Sequence, residues 1–328
     1  MTTTYQTQLQ SDPGLRRFDD IRGLLPDADN PTPLVRLRHV ISGDIEAYLK
    51  LEWLNPFGSI KDRAAAFLVE GLRHRGELED RELVEASSGN TGIALAALAT
   101  LNRTRLTVTI PDGIPEEKKV ILRMLGAEVW ETPDDLCPVD LPKDGAIALA
   151  RSLAASEGGS KYVLTDQYRN LDNVAAHYAT TGPEIWRQSE GRVRWFVTGL
   201  GTGGTVTGVG RYLKEQDPGI RVIAIEPQPG HRIPGLKSLV EAKTPEIVDF
   251  SVIDEVLRVD DDPAYDATLR LWREEALIVG PSTGAVVAGM GQLPIPAGDL
   301  VVGISADSGI KYTSYLAELL GDEGLPRI

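Results

Sequence analysis

The chain has 328 residues, of which 42% are hydrophobic and 25% are charged, a composition that excludes intrinsic disorder as the main state and a length that accommodates two domains. Asp and Glu number 48 against 34 Lys and Arg, so the formal net charge is −14. Such a balance repels phosphate backbones and anionic lipids, and we therefore expect no nucleic-acid or membrane partner.

Strand-like and helix-like segments alternate over most of the chain. In chain order the pattern predicts a strand at 82–85, a helix at 92–100, a strand at 106–110, a helix at 117–125, a strand at 127–130, a strand at 195–197, a helix at 205–214 and a strand at 221–225. Parallel neighbouring strands need a helical crossover, which this alternation supplies. We therefore predict an α/β protein of two domains, each an open, twisted, mostly parallel sheet flanked by helices.

Two segments are predicted to be irregular. Residues 132–144 contain three prolines and four acidic residues, which interrupts any periodic element and indicates an exposed loop between the two sheets. Prolines recur through residues 226–250. Loops of this length in compact domains usually serve function or are mobile.

Lys61 is a candidate catalytic residue because of its predicted position. It follows a Gly58-Ser59 turn, and Ser59 and Asp62 suit the N-cap and capping-box positions of an alanine-rich helix. The positive end of a helix dipole disfavours a cation and lowers the pKa of an amine, as Schiff-base chemistry requires. The alternative is a solvated lysine, which is the common case on a helix.

Three further segments place polar groups where a helix begins. Residues 87–92 (SSGNTG) offer hydroxyl and amide donors suited to a carboxylate or a phosphate. Residues 199–205 (GLGTGGT) join a strand to a helix and would cradle an anion with backbone N–H groups. Residues 280–285 (GPSTGA) carry two hydroxyls, for which simple helix capping is an equally good explanation.

The glycine-rich segment also supports a different class of enzyme. Gly199, Gly201 and Gly204 satisfy the G-x-G-x-x-G pattern of dinucleotide-binding folds, and Glu226 follows at the end of a strand, where a ribose partner is expected. Taken alone, the stretch predicts an NAD-dependent dehydrogenase. That hypothesis leaves Lys61 and the polar residues at 87–92 without a role.

The cysteine and histidine content argues against disulfides and metal sites. Cys137 is the single cysteine, and the four histidines lack the spacing of zinc ligands. The sequence contains neither a recognisable export signal nor a run of 18 apolar residues. We expect a cytoplasmic protein without a metal ion.

The chain resembles the fold-type II pyridoxal-phosphate enzymes, related to the β-subunit of tryptophan synthase. It is most similar to the cysteine synthases of the O-acetylserine/O-phosphoserine sulfhydrylase group, of the B type, with cystathionine β-synthases as relatives. The resemblance extends from about residue 31 to 312. The matching motifs are 31–35 (PTPLV), 58–63 (GSIKDR), 88–92 (SGNTG), 181–186 (TGPEIW) and 201–205 (GTGGT).

This resemblance implies pyridoxal 5′-phosphate as cofactor and assigns roles to individual residues. Lys61 would be the Schiff-base lysine, Asn90 would hydrogen-bond the cofactor's 3′-oxygen, and Ser282 would face the pyridine nitrogen. The phosphate would be cradled by Gly201, Thr202, Gly203, Gly204 and Thr205. The substrate carboxylate would be held by Ser87, Ser88, Thr91 and Gln167.

The implied reaction is β-replacement on an O-activated L-serine, either O-acetylserine or O-phosphoserine. Sulfide or another sulfur nucleophile would add to an α-aminoacrylate intermediate and give L-cysteine. A neutral serine at 282 would favour this chemistry over transamination. The resemblance also implies a homodimer, with a smaller mobile domain at 48–160 carrying the substrate-carboxylate loop. Residues 1–47 and 161–328 would form the larger domain, which binds the cofactor phosphate.

Substrate identity stays open at this level. An amine or a larger thiol could replace sulfide, as in 2,3-diaminopropionate-type or cystathionine synthases, and a catalytically silent binding protein is a third class. His231, Arg232 and Lys237 lie in the proline-rich stretch that the resemblance places near the active-site entrance. We predict that Arg232 reads the phosphate of O-phosphoserine, because a guanidinium donates two parallel hydrogen bonds. The alternative is that these cations pair with nearby carboxylates.

Overall fold

The structure is a computed structural model, which describes residues 17–41, 43–87, 89–133 and 145–317. Its strands are β1 (Leu34–Arg36), β2 (Glu46–Leu51), β3 (Glu82–Ala86), β4 (Leu106–Pro111), β5 (Glu128–Thr132), β6 (Tyr162–Leu164), β7 (Val193–Gly199), β8 (Arg221–Pro227), β9 (Glu255–Val259) and β10 (Leu300–Ser305). Its helices are α1 (Lys61–His74), α2 (Asn90–Asn102), α3 (Glu116–Met124), α4 (Ala146–Ala155), α5 (Asp172–Ala176), α6 (Gly182–Gln188), α7 (Gly204–Gln216), α8 (Asp261–Glu274) and α9 (Pro281–Met290). A π-helical turn, His177–Thr181, joins α5 to α6.

One sheet contains the strands predicted at 82–85, 106–110 and 127–130. Its strand order is β5-β4-β3-β6, and every pair of neighbours is parallel. All five residues of β3 and all six of β4 are buried, as expected for strands covered by helices on both faces. The predicted strands and helices differ from the observed ones by no more than two residues at either end.

The second sheet has the order β1-β2-β10-β7-β8-β9. Only the pair β1–β2 is antiparallel among the strands of this sheet that the structure describes. The predicted fold class, two open and mostly parallel sheets flanked by helices, is therefore confirmed. The sequence prediction did not include β1, β2, β6, β9 and β10, of which β1 and β6 have only three residues each.

Two strands lie close to the predicted domain boundaries at residues 48 and 160. Strand β2 starts before residue 48 and pairs within the six-stranded sheet, whereas β6 lies after residue 160 and pairs within the four-stranded sheet. The division into a mobile and a fixed domain stays a prediction. Most of the predicted loop at 132–144, including Cys137, lies outside the described residues.

Two negative results concern the described part of the chain only. None of its helices is long and apolar enough to cross a membrane. None of its groups of His, Cys, Asp and Glu side chains is arranged to hold a metal ion.

Candidate active site

A cleft lies at the carboxyl ends of the neighbouring strands β7 and β10, where ligands bind in open α/β sheets. Its empty volume is about 710 Å3, part of which is open solvent. Helices α1, α2, α7 and α9 all begin at this cleft, so their positive dipole ends favour an anionic ligand. The sequence-predicted residues that line it are Lys61, Asn90, Thr91, Gly201, Thr202, Gly203, Thr205 and Ser282.

Lys61 is the first residue of α1, but the helix is capped differently from the prediction. Ile60 is the N-cap, and the Ser59 hydroxyl oxygen, one residue earlier, accepts a hydrogen bond of 3.2 Å from the Lys61 backbone N–H. Asp62 accepts from the backbone N–H of Phe57 at 2.6 Å, so its carboxylate braces the turn that precedes the helix. These contacts hold the backbone of Lys61 on both sides.

The Lys61 amine has the electrostatic environment that the sequence predicted, for a partly different reason. Burial lowers its pKa to about 8, although the carboxylates of Asp307 and Glu85 raise it. The sequence argument invoked the helix dipole, whereas loss of solvation is the larger cause here. At pH 8 about half of the free amine would be neutral and able to accept a proton.

The glycine-rich loop has the backbone shape of an anion cradle. Gly203 has φ +87°, and a Cβ at this position would approach Cγ2 of Val248 to 2.2 Å. Helix α7 begins at Gly204, so the N–H groups of its first turn have no partner within the helix. Together with the hydroxyls of Thr202 and Thr205, they form a donor set that fits a phosphate dianion.

Ser87 supports the loop at 87–92 from within and is not among the residues that line the cleft. Its hydroxyl oxygen accepts hydrogen bonds from the backbone N–H groups of Gly89 and Gly92, both at 2.9 Å, and its side chain is fully buried. The predicted direct contact with a substrate carboxylate therefore has no support at Ser87. Ser88 lies outside the described residues.

Gln167 also acts through a neighbour. Its Nε2 donates to Oε1 of Glu85 at 3.2 Å and to the backbone carbonyl of Ala86 at 2.8 Å, so both amide protons are used. Its Oε1 accepts from the Thr91 hydroxyl at 2.7 Å. Gln167 thus fixes Thr91, which does line the cleft, and its own amide is not directed at a ligand.

A buried network that the sequence analysis missed holds Asn90. The Asn90 Nδ2 donates to Oδ2 of Asp307 at 2.6 Å, and the Tyr312 hydroxyl donates to the same oxygen at 2.5 Å. Lys118 donates to the Tyr312 oxygen at 2.7 Å, and Lys311 donates to Oδ1 of Asn90 at 3.4 Å. Burial lowers the pKa of Lys118 to about 8, against the effect of Asp307. The signal in the sequence was an acidic residue, Asp307, two positions after the end of the apolar strand β10.

Ser282 and its neighbour Thr283 face different surroundings at the start of α9. Ser282 lines the cleft, whereas the Thr283 hydroxyl lies 3.2 Å from that of Ser305 and is buried against the sheet. Gly280 is the N-cap, with no hydrogen bond from a side chain. The capping explanation for the two hydroxyls is therefore wrong, and Ser282 is left as a polar group of the cleft.

Arg232 is not brought to the cleft. Its side chain is 61% exposed, and its Nε lies 3.9 Å from Oδ2 of Asp261. Its backbone carbonyl accepts hydrogen bonds from the hydroxyls of Tyr265 and Tyr315, which fixes the chain direction. The residues that follow at 234–236 line the cleft in its place.

Glu226 is unsuited to bind a ribose. It is buried, and one carboxylate oxygen accepts from Arg258 at 3.1 Å while the other accepts from the backbone N–H of Leu239 at 3.0 Å. The acidic residue of the dinucleotide fingerprint is thus already paired within the protein. This removes the main support for the dehydrogenase hypothesis.

The fold and the cleft are those of a pyridoxal-phosphate enzyme. One cleft contains both a lysine whose pKa is lowered and a set of hydrogen-bond donors that fits a phosphate group. Residues 25–307 match the model of the family described as pyridoxal-phosphate dependent enzyme, and the chain belongs to this family. The predicted cofactor, pyridoxal 5′-phosphate, and the predicted enzyme class are confirmed.

Individual relatives lie within the cysteine synthase group. The chain is 40% identical to cysteine synthase B of Salmonella typhimurium over 86% of its own length and 92% of the relative's. It is 39% identical to cysteine synthase B of Escherichia coli with the same coverage. Among solved structures, O-ureido-L-serine synthase superposes with a TM-score of 0.83 at 31% identity, covering 93% of this chain and 97% of that one. The resemblance to B-type cysteine synthases is confirmed.

Proposed function

We propose that this protein catalyses β-replacement on an O-activated L-serine with a sulfur nucleophile and releases L-cysteine. The observation that carries the proposal is the position of Lys61, whose amine lies on one wall of a cleft that also contains the anion cradle at 201–205. The names of the relatives support the same reaction.

Lys61 has the central role in this reaction. Bound pyridoxal phosphate supplies a carbonyl carbon that an amine can hold covalently and a ring that withdraws electrons from the substrate's α-carbon. The neutral Nζ of Lys61 removes the proton from the α-carbon, which assists departure of the β-substituent, and it later returns a proton there. A pKa of about 8 leaves enough neutral amine at physiological pH for this exchange.

The other residues bind and orient. The cradle at 201–205 holds the phosphate group, the amide of Asn90 contacts the cofactor's 3′-oxygen, and the Ser282 hydroxyl faces the ring nitrogen. The backbone N–H groups at the N-terminus of α2 hold the substrate carboxylate, whereas the Thr91 hydroxyl donates its proton to Oε1 of Gln167 and, together with Ser87, braces that loop. We further propose a cytoplasmic homodimer, on the resemblance alone.

The test combines turnover with the site of attachment. Purified protein is incubated with sulfide and either O-acetylserine or O-phosphoserine, and the L-cysteine formed is measured. Parallel reactions replace sulfide by an amine or by homocysteine as the nucleophile. Borohydride reduction followed by peptide mapping locates the attached cofactor. We expect cysteine formation and attachment at Lys61. Attachment at another lysine, or product formed only with the amine or homocysteine, would refute the proposal.

A further inference from the structure

A short segment lies directly behind the phosphate cradle. Helix α5 continues into the π-helical turn His177–Thr181, and α7 packs closely on both. The approach is close enough that a Cβ at Gly208 of α7 would lie 2.4 Å from the carbonyl oxygen of Val174. Asn173 and His177, one turn apart on this segment, each contact one threonine of the cradle. π-helical turns are frequent at functional sites.

Asn173 contacts Thr202 in a defined direction. Its Nδ2 donates to the backbone carbonyl of Gln167 at 2.8 Å, which fixes the orientation of the amide because a carbonyl can only accept. The same Nδ2 lies 3.0 Å from the hydroxyl oxygen of Thr202 and donates to it. The oxygen of Thr202 is thus an acceptor toward the protein interior, and its own proton is left for an acceptor on the cleft side.

His177 makes the corresponding contact with Thr205. Its Nε2 lies 3.3 Å from the Thr205 hydroxyl, and its Nδ1 lies 2.9 Å from the Thr181 hydroxyl. Burial lowers the pKa of His177 to about 3, with a further decrease caused by Lys61, so the ring is neutral. A neutral imidazole carries one N–H donor and one acceptor nitrogen, and its tautomer decides the direction of both bonds.

The two tautomers predict opposite properties for the cradle. With the proton on Nε2, His177 donates to Thr205 and Thr181 donates to Nδ1. The proton of Thr205 can then point into the cleft. With the proton on Nδ1, Thr205 must donate to the ring and would present only lone pairs to a ligand. A phosphate group offers acceptors alone, so only the first arrangement suits it.

We propose that Asn173 and His177 are positioning residues that donate to Thr202 and Thr205 from behind, so that both hydroxyl protons point at the cofactor phosphate. This inference rests on the proposed location of the phosphate at 201–205. It assigns the cradle's preference for an anion to two buried neutral side chains, in addition to the helix N-terminus.

Two substitutions distinguish the contributions of the two ring nitrogens of His177. In His177→Gln the amide reaches the position of Nε2, whereas in His177→Asn it reaches only that of Nδ1. We expect His177→Asn to weaken binding of pyridoxal phosphate and of inorganic phosphate to the apoenzyme about tenfold, the loss of one hydrogen bond to a charged group, and His177→Gln to stay within about threefold of wild type. His74→Gln, at an exposed position of α1, is the control and should change neither affinity. Equal weakening in both His177 variants, or none in either, would overturn the proposal.

A spectroscopic measurement avoids variants that fold poorly. The chain has four histidines, and in the 15N spectrum of the histidine-labelled holoenzyme His177 is the resonance missing from the His177→Gln sample. We expect a neutral ring with its proton on Nε2 that does not titrate between about pH 6 and 8. A proton on Nδ1, or on both nitrogens, refutes the inference. Failure of the proposed function is a separate outcome: wild-type apoenzyme would then fail to attach the cofactor at Lys61.

Discussion

The Nδ2 of Asn90 donates a hydrogen bond of 2.6 Å to Oδ2 of Asp307, which lies 217 residues further along the chain. This bond joins the first residue of α2 to the segment that follows β10. It also keeps a buried carboxylate at the cleft, where Asp307 raises the pKa of Lys61 against the effect of burial. The orientation of Asn90 and the basicity of Lys61 therefore depend on the same side chain.

Asp307→Asn should shift the pH dependence of turnover. Removing the carboxylate removes a charge that favours the ammonium form, so the pKa of Lys61 falls below about 8. Because the base must be neutral, we expect the acidic limb of the kcat profile to move to lower pH. The control is Glu85→Gln, for which we expect a smaller shift, because burial raises the pKa of Glu85 to about 8 and keeps it mostly neutral at pH 7. A limb that stays in place or moves to higher pH in Asp307→Asn would contradict this account.

Lys61→Ala should abolish turnover while the protein stays folded. Alanine is well tolerated in a helix, and the Lys61 backbone N–H keeps its bond to Ser59. We expect kcat to fall by at least about a thousandfold, with an unchanged thermal midpoint. Arg73→Ala, at the exposed end of the same helix, is the matched control. Retention of more than roughly a thousandth of wild-type β-replacement activity would argue against Lys61 as the base.

Gly203→Asp should weaken cofactor binding. The added side chain meets Val248, the φ of +87° is strained for any residue with a Cβ, and the carboxylate repels a phosphate. Gly298→Asp is the control, because Gly298 has a similar φ of +84° and open space around it. Equilibrium dialysis of the two apoproteins measures the difference. Equal affinities would mean that the phosphate binds elsewhere.

Arg232→Ala should leave the preference between O-phosphoserine and O-acetylserine unchanged. The guanidinium is exposed and lies near Asp261, outside the cleft. We therefore expect the ratio of kcat/KM for O-phosphoserine to that for O-acetylserine to change by less than about twofold, as for other solvated side chains. Steady-state kinetics with both donors check this. A selective loss with O-phosphoserine would restore the sequence-based hypothesis that Arg232 reads the phosphate.

Arg63→Met should destabilise the protein strongly. Arg63 is fully buried and pairs with Glu52 at 2.7 Å and with Glu184 at 2.6 Å, so its loss leaves buried carboxylates without their main partner. We expect the free energy of unfolding to fall by about 3–5 kcal/mol in urea titrations. Arg73→Met removes an exposed pair at 4.0 Å and should cost less than about 1 kcal/mol. A loss below about 1 kcal/mol in Arg63→Met would show that the network contributes little.

Sequence patterns were sufficient to predict the strands and helices that carry the motifs. The helices predicted at 92–100 and 205–214 appear as α2 and α7. Helix α2 begins at the cleft residue Asn90, and α7 begins directly after the cleft residue Gly203. Local periodicity and turn residues decide where such elements begin. The position of Lys61 at the start of α1 follows from the same local rules.

Local rules do not determine which side of a loop faces a ligand. Ser87 and Thr91 carry similar hydroxyls in one motif, yet Ser87 bonds the backbone of its own loop and only Thr91 lines the cleft. Gln167 is fully engaged with Glu85, Ala86 and Thr91, which its sequence position did not indicate. These orientations depend on strand pairing between distant segments.

The sequence alone was sufficient to predict the family and the cofactor and to propose Lys61 as the residue that holds it, because each depends on short motifs whose backbone conformation is set by neighbouring residues. Only the tertiary structure decided that Asp307 supports Asn90, that His177 lies behind Thr205 and that Arg232 points away from the cleft. These relationships join residues that are 28 to 217 positions apart or depend on the packing of a whole loop. A hydrogen bond between such residues requires that the intervening strands and helices have already packed, so no local pattern encodes it.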